Sequence, residues 1–232
     1  MRNILVVDDD KEIANLISIY LKNEGYHIIC AYDGEEALEL LNDPGSRFDL
    51  IVLDIMMPKV DGLEVCRQMR NQASVIPILM LSAKTEDMDK ILGLMTGADD
   101  YMIKPFNPLE LTVRVKTLLR RTFQYNSESR PENDTLLRIQ SVEINRSTHK
   151  VTADGNDVQL TGREFDILGL LASHPGRVFS AEEIFQRVWK EKYYVSNNTV
   201  MVHISNLRDK LEKELGYKLI QTVWGVGYKI DA

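Results

Sequence analysis

The chain is 232 residues long, 44% hydrophobic and 27% charged, with a net charge of −7. That length suits two domains, the apolar content excludes a disordered chain, and no apolar run approaches the ~18–20 residues of a membrane span. The acid is concentrated in residues 1–130, which hold 15 basic and 21 acidic side chains against 13 and 14 in residues 131–232; a nucleic-acid surface in the neutral second half must therefore depend on where charge is placed. The N-terminus reads as a strand and lacks the basic region and cleavage site of a signal peptide, so a cytoplasmic location is expected. Cys30 and Cys66 lie in apolar periodic segments without metal spacing and read as buried thiols.

In chain order, the first ~120 residues alternate short apolar runs with helical periodicity. The runs ILVV (4–7), HIICA (27–31), LIVLD (50–54), PILMLS (77–82) and DYMI (100–103) are separated by segments of helix length. Between the first two, Ile13, Leu16, Ile17, Tyr20 and Leu21 fall on one helical face. Apolar strands alternating with amphipathic helices imply a doubly wound α/β fold with a five-stranded parallel sheet, whose ligands gather at the carboxyl ends of the strands. A polar stretch, FQYNSESRPENDT, reads as a linker. LLRIQ, VEIN, KVTAD and VQL then read as short strands with a turn at Asp154-Gly155, and three helical stretches and the hairpin TVWGVGYKI complete an α+β domain.

ILVV runs into Asp8, Asp9 and Asp10, and LIVL into Asp54. PILML ends on Ser82, and DYMI delivers Lys104 and Pro105. Any one of these acids could be a turn or cap residue. Adjacent carboxylates repel unless a cation is shared, and acids, a hydroxyl and an ammonium on one rim suit Mg²⁺ with a phosphoryl group. A carboxylate attacks a phosphoryl donor only when the charge developing on the transferred oxygens is neutralised, which Mg²⁺ and Lys104 can do.

VVDDD, LIVLDIMMPKVDGLEV, PILMLSAK and GADDYMIKPF resemble the flavodoxin- or CheY-like receiver domain of two-component response regulators, over residues 1–121. The resemblance implies that Asp54 is the phospho-acceptor for a sensor histidine kinase, and that Asp9 and Asp54 bind Mg²⁺ directly, Asp8 through water and Met56 through its backbone carbonyl. It further implies that Ser82 and Lys104 hold the phosphoryl group, that Lys104–Pro105 is cis, and that Ser82 and Tyr101 form a switch pair. Asp10 is expected to cap the helix starting near Lys11. A D-x-D motif after a first strand also fits haloacid-dehalogenase-type phosphatases, but DDDKEI lacks the Thr or Val which that family requires soon after.

LTGREFDILGLL, NNTVMVHISNLRDKL and IQTVWGVGYKI resemble the winged helix-turn-helix effector of the OmpR/PhoB family, giving a linker at 122–135 and a DNA-binding domain at 136–232. The family places a phosphorylation-dependent homodimer on the last two receiver helices and fifth strand, implying pairs of Lys90 with Glu110, Asp99 with Arg114 and Asp100 with Arg121. It also implies promoter DNA and RNA polymerase as partners, and no membrane. Val200, Ile204, Leu207, Leu211 and Leu215 form the apolar stripe of the recognition helix. The opposite face is expected to carry Asn198, Thr199, Val202 and Asn206, flanked by His203, Ser205 and Arg208, where Val suits a thymine methyl and Asn an adenine. Trp224 stands in the wing where relatives often carry Arg. Arg208 and Lys229, with Arg163, Arg187 and Lys190, are left to contact phosphates. SNNTV, VHI and TVWGVGYKI especially resemble the VanR type, which is associated with cell-wall stress and glycopeptide resistance. The alternative within this frame is a phosphorylation-independent DNA-binding protein whose receiver serves only dimerisation.

Overall fold

The computed structural model describes residues 2–72, 74–82, 96–123, 136–190 and 199–232, the side chains of 121–123 excepted. It forms two compact units, Met1–Arg120 and Arg121–Ala232. Lys90, Asn198, the side chain of Arg121 and most of the expected linker lie outside the described residues.

In the first unit β1 (Asn3–Val7), β2 (His27–Ala31), β3 (Leu50–Asp54), β4 (Ile78–Ser82) and β5 (Asp100–Ile103) make a parallel sheet of order β2-β1-β3-β4-β5. The strands need no alternation of apolar and polar residues because both sheet faces are covered. Ile4, Val6, Leu50, Val52, Leu79 and Leu81 pack with Ile17 and Leu21 of α1 (Lys11–Asn23) and Leu111 and Val115 of α4 (Pro108–Phe123). The alternate residues Leu5, Val7, Ile51 and Leu53 are equally buried. Two further helices, α2 (Gly34–Asn42) and α3 (Gly62–Asn71), bury Ala37, Val65 and Met69.

Helix α1 departs from the expected stripe. Its buried residues are Ala14, Ile17, Ser18 and Leu21, whereas Leu16 is 41% exposed. The small Ala14 and Ser18 allow the helix to lie close to the sheet, and Ser18 satisfies its hydroxyl on the Ala14 carbonyl at 2.8 Å. Asp10 caps this helix as expected, accepting from the Glu12 and Ile13 N–H groups at 2.8 and 3.3 Å. Both cysteines are free thiols; Cys66 is buried and Cys30 half-buried.

The second unit opens with a four-stranded antiparallel sheet, β6 (Leu136–Ile139), β7 (Val142–Asn145), β8 (Lys150–Ala153) and β9 (Asn156–Val158). Asp154 and Gly155 link the last two strands with φ of 51° and 85°, the positive pair that a two-residue hairpin turn demands. Helices α5 (Gly162–Ala172), α6 (Ala181–Trp189) and α7 (Thr199–Leu215) follow, then the hairpin β10 (Ile220–Val223) and β11 (Gly227–Ile230). Thr161 and Glu164 form a reciprocal capping box at the start of α5.

Candidate functional site

The strand order decides which side chains meet. With β1, β3, β4 and β5 adjacent, the acids after β1, the acid ending β3, Ser82 at the end of β4 and Lys104 beyond β5 share one edge. Carboxylate oxygens of Asp8, Asp9 and Asp54 lie within 4.8 Å of one another. Lys104 Nζ sits 2.7 Å from Asp8 Oδ2 and 3.1 Å from Asp54 Oδ2. Asp8, Asp54 and Ser82 are buried, while Asp9 is exposed. The Lys104 backbone N–H donates to the Ser82 carbonyl at 2.6 Å, and Lys104–Pro105 is cis. Tyr101 is also buried, and the Met56 side chain is half exposed.

Gly62 allows β3 to end where it does. A Cβ at this position would stand 2.0 Å from the Asp54 carbonyl oxygen, and the Gly62 N–H donates to the Ile55 carbonyl at 3.0 Å. The start of α3 is thus pressed onto the backbone of Asp54.

Burial pushes the Asp54 carboxyl up to about 6; the Lys104 charge opposes this and the Asp8 charge reinforces it. Burial likewise raises Asp8, against its bond to Lys104. Burial alone would lower Lys104, but its hydrogen bond to Asp8 and the Asp54 and Asp8 charges together raise it. One ammonium among three carboxylates leaves an excess of negative charge, and the buried Asp54 Oδ1 has no hydrogen-bond partner among the described residues. An all-oxygen donor set with a free lone pair fits a hard divalent cation such as Mg²⁺.

Two other surfaces matter. At the start of β5, Asp99 is buried and bonded to Arg70 at 2.8 Å and to the Ile78 N–H at 3.0 Å. Arg70 also donates to the Gly97, Ser74 and Ile76 carbonyls, each at 2.9 Å. Neighbouring Asp100 meets Arg114 at 3.1 Å, and Arg114 also meets Glu110 at 2.9 Å. In the second unit the outward face of α7 presents Met201 and Ser205, with Val202 and Asn206 half-buried. Trp224, at the hairpin tip, is 90% exposed.

Residues 4–116 match the response regulator receiver domain family, and residues 155–230 match the family described as transcriptional regulatory protein, C terminal. The chain is 47% identical to the regulatory protein VanRc of Enterococcus gallinarum over 98% of both chains. It is 44% identical to VanR of Enterococcus faecium, again over 98% of both. The chain belongs to the response regulators of the OmpR/PhoB type. It is 42% identical, over 99% of this chain and 97% of the relative, to the alkaline phosphatase synthesis transcriptional regulatory protein PhoP of Bacillus subtilis. Among solved structures, the receiver domain of Francisella response regulator 1452 is 42% identical over 53% of this chain and 99% of its own, with a TM-score of 0.50. A RitR mutant is 26% identical over 100% of this chain and 99% of its own, with a TM-score of 0.62. The chain is therefore a phosphorylatable transcriptional regulator.

Within this response regulator the acidic site brings together the expected Asp8, Asp9, Asp54, Ser82 and Lys104. The other surfaces need corrections. Within one chain Arg114 meets Asp100 while Asp99 is buried against Arg70, because consecutive residues entering a strand point to opposite sides; the pairing expected across a dimer involves a second chain. Thr199 and His203 are buried, His203 with its ring 5.3 Å from that of Trp189. Helix α7 packs against α5, α6, β8 and β9 together, which widens its buried arc beyond the apolar stripe. Arg163 is also buried, donating to the Val188 carbonyl at 2.7 Å over the Trp189 ring. Arg208 turns to the hairpin, donating to the Ile220 carbonyl at 3.0 Å and to Thr222 at 2.7 Å.

Four residues were not singled out from the sequence. Arg70 carried no local signal. Leu109 and Val113 of α4, 64% and 61% exposed, were legible as apolar positions off the Leu111–Val115–Leu118 stripe. Met201 was legible too, as the residue between two core positions of α7.

Proposed function

We propose that Asp54 accepts a phosphoryl group from a sensor histidine kinase, with Mg²⁺ held by Asp8, Asp9, Asp54 and the Met56 carbonyl. The observation that carries this is the meeting of three carboxylates and Lys104 at adjacent strand ends, with Asp54 Oδ1 lacking a partner among the described residues. When bound, the cation supplies neutralisation of the charge on the transferred oxygens. A carboxylate oxygen of Asp54 is the nucleophile, forming the new O–P bond as the donor's nitrogen–phosphorus bond breaks. Lys104 holds the Asp54 carboxylate and offers its ammonium to a phosphoryl oxygen, while the Ser82 hydroxyl and Tyr101 respond to the added group. Phosphorylation then favours a two-fold dimer through the face of β5 and α4, which displays Asp100, Glu110, Arg114, Leu109 and Val113. The dimer places α7 in successive major grooves of promoter DNA and the hairpin beside them, where it meets RNA polymerase. Full-length similarity to VanR and VanRc supports a stimulus at the cell wall, with glycopeptides as the first class to test.

Acetyl phosphate with Mg²⁺ should add one phosphoryl mass to the protein and none to Asp54→Asn. Labelling of Asp54→Asn at another carboxylate would overturn the assignment. A mobility shift that strengthens only for the labelled protein separates this reading from a phosphorylation-independent binder.

A further inference from the structure

Among the described residues, the outward face of α7 and the hairpin have little positive charge of their own, the exposed Arg187 and Lys190 lying on and just after α6. Between Thr199 and Asp209 the one Lys or Arg is Arg208, and between Ile220 and Ile230 it is Lys229. Both are engaged within the chain. Arg208 reaches the hairpin through Ile220 and Thr222 and lies 5.6 Å over the Tyr228 ring. Lys229 Nζ is 2.8 Å from Asp231. The other outward side chains bring no positive charge: Met201 at 51% exposure, Ser205 and, a turn further on, Asp209, with the half-buried Val202 and Asn206 on α7, and Trp224 and Val226 (57% exposed) at the hairpin tip.

This apolar tip is held rigidly. Phe179 and Tyr228 exchange N–H···O bonds of 2.9 Å. Gly227 lies so close to this strand that a Cβ would fall 2.0 Å from the Phe179 carbonyl. Together with Arg208 these contacts fix the hairpin to α7 and to the start of α6, so helix face and tip move as one piece. Two large apolar side chains exposed on such a rigid mount lose little conformational freedom on binding.

We propose that this effector reads A·T-rich duplex DNA through an uncharged surface, with Met201 and Val202 against thymine methyl groups and Trp224 and Val226 against the sugar edge of the neighbouring groove. This rests on the DNA-binding reading above and names its target class. Thymine is the base whose major-groove edge carries a methyl group, and Asn206 beside it can pair with the adenine edge. Arg208 is a positioning residue that sets the angle between helix and hairpin.

The test uses the full-length protein, phosphorylated with acetyl phosphate, against a pool of randomised duplexes, followed by anisotropy on the recovered site. Recovered sites should be A·T-rich. Replacing a contacted thymine by uracil, which removes the methyl alone, should weaken binding about 4-fold. That loss should vanish in Met201→Ala or Val202→Ala and persist in Met201→Leu, as a double-mutant cycle requires. Trp224→Arg should steepen the salt dependence by about 0.9 in log–log slope, the signature of one added phosphate contact. G·C-rich sites, or uracil without effect on a duplex that still binds, would overturn the proposal and leave the DNA-binding reading standing. Enrichment of no duplex at all would remove both.

Discussion

Asp54 is a carboxylate placed where water cannot stabilise its charge. Its pKa of about 6 in the folded chain lies above the ordinary carboxyl value of 3.8, so the folded state holds the proton more tightly than the unfolded one. The charged form therefore lowers stability fully above pH ~6, and the penalty fades as pH falls from there toward ~4. In metal-free protein near pH 7.5, Asp54→Asn should stabilise by about 2 kcal/mol in urea denaturation, and the gain should shrink near pH 5. Added Mg²⁺ should raise the thermal midpoint of the wild type and do so more at the higher pH, since protons compete with the ion. Asp10 differs from its neighbours because its oxygen is engaged by the first turn of α1. Asp10→Ala should cost about 1 kcal/mol as a lost cap while Mg²⁺ affinity, read by fluorescence titration, stays near wild type. Asp9→Ala should remove that binding.

At the scale of elements, the joints between helices and strand ends govern the site. Gly62 lets α3 rest against the Asp54 carbonyl, and Gly62→Ala inserts a methyl where 2.0 Å is available. The strand end must shift, at roughly 1–3 kcal/mol, and acetyl phosphate labelling should slow by more than this loss of stability explains. Arg70 ties the end of α3 to the segment entering β5 through Asp99 and three carbonyls. Its removal breaks a buried charge pair, costing roughly 3–5 kcal/mol. Arg70→Lys should recover little of it, because one ammonium cannot span those four acceptors. Chemical denaturation of both variants measures the difference.

For the whole molecule, the excess of acid lies in residues 1–130 and the second half is close to neutral, so its net charge does not draw in DNA and local placement must do so. In the proposed dimer the doubling of contacts is the larger source of affinity. Leu109 and Val113 are exposed apolar residues on the face carrying Asp100 and Arg114. Val113→Glu should keep the phosphorylated protein monomeric in sedimentation and weaken its binding to paired half-sites about 10-fold or more, leaving single half-site binding unchanged. No helix among the described residues is long and apolar enough to cross a membrane.

The strands, their order of appearance, the Asp154-Gly155 turn and the acids at the strand ends are all local in origin. They follow from runs of branched apolar residues, from turn chemistry, and from the rule that a parallel sheet gathers its carboxyl ends on one edge. Those features were legible in the sequence alone. Which side of a helix is buried, and which charge is engaged, depends on how many neighbours pack against it. Helix α7 meets two helices and two strands, so Thr199 and His203 turned inward although their spacing placed them outside. Asp99 found Arg70 across 29 residues, and Arg208 found the hairpin rather than a phosphate. Only tertiary packing could decide these, because burial and pairing are set by partners distant along the chain.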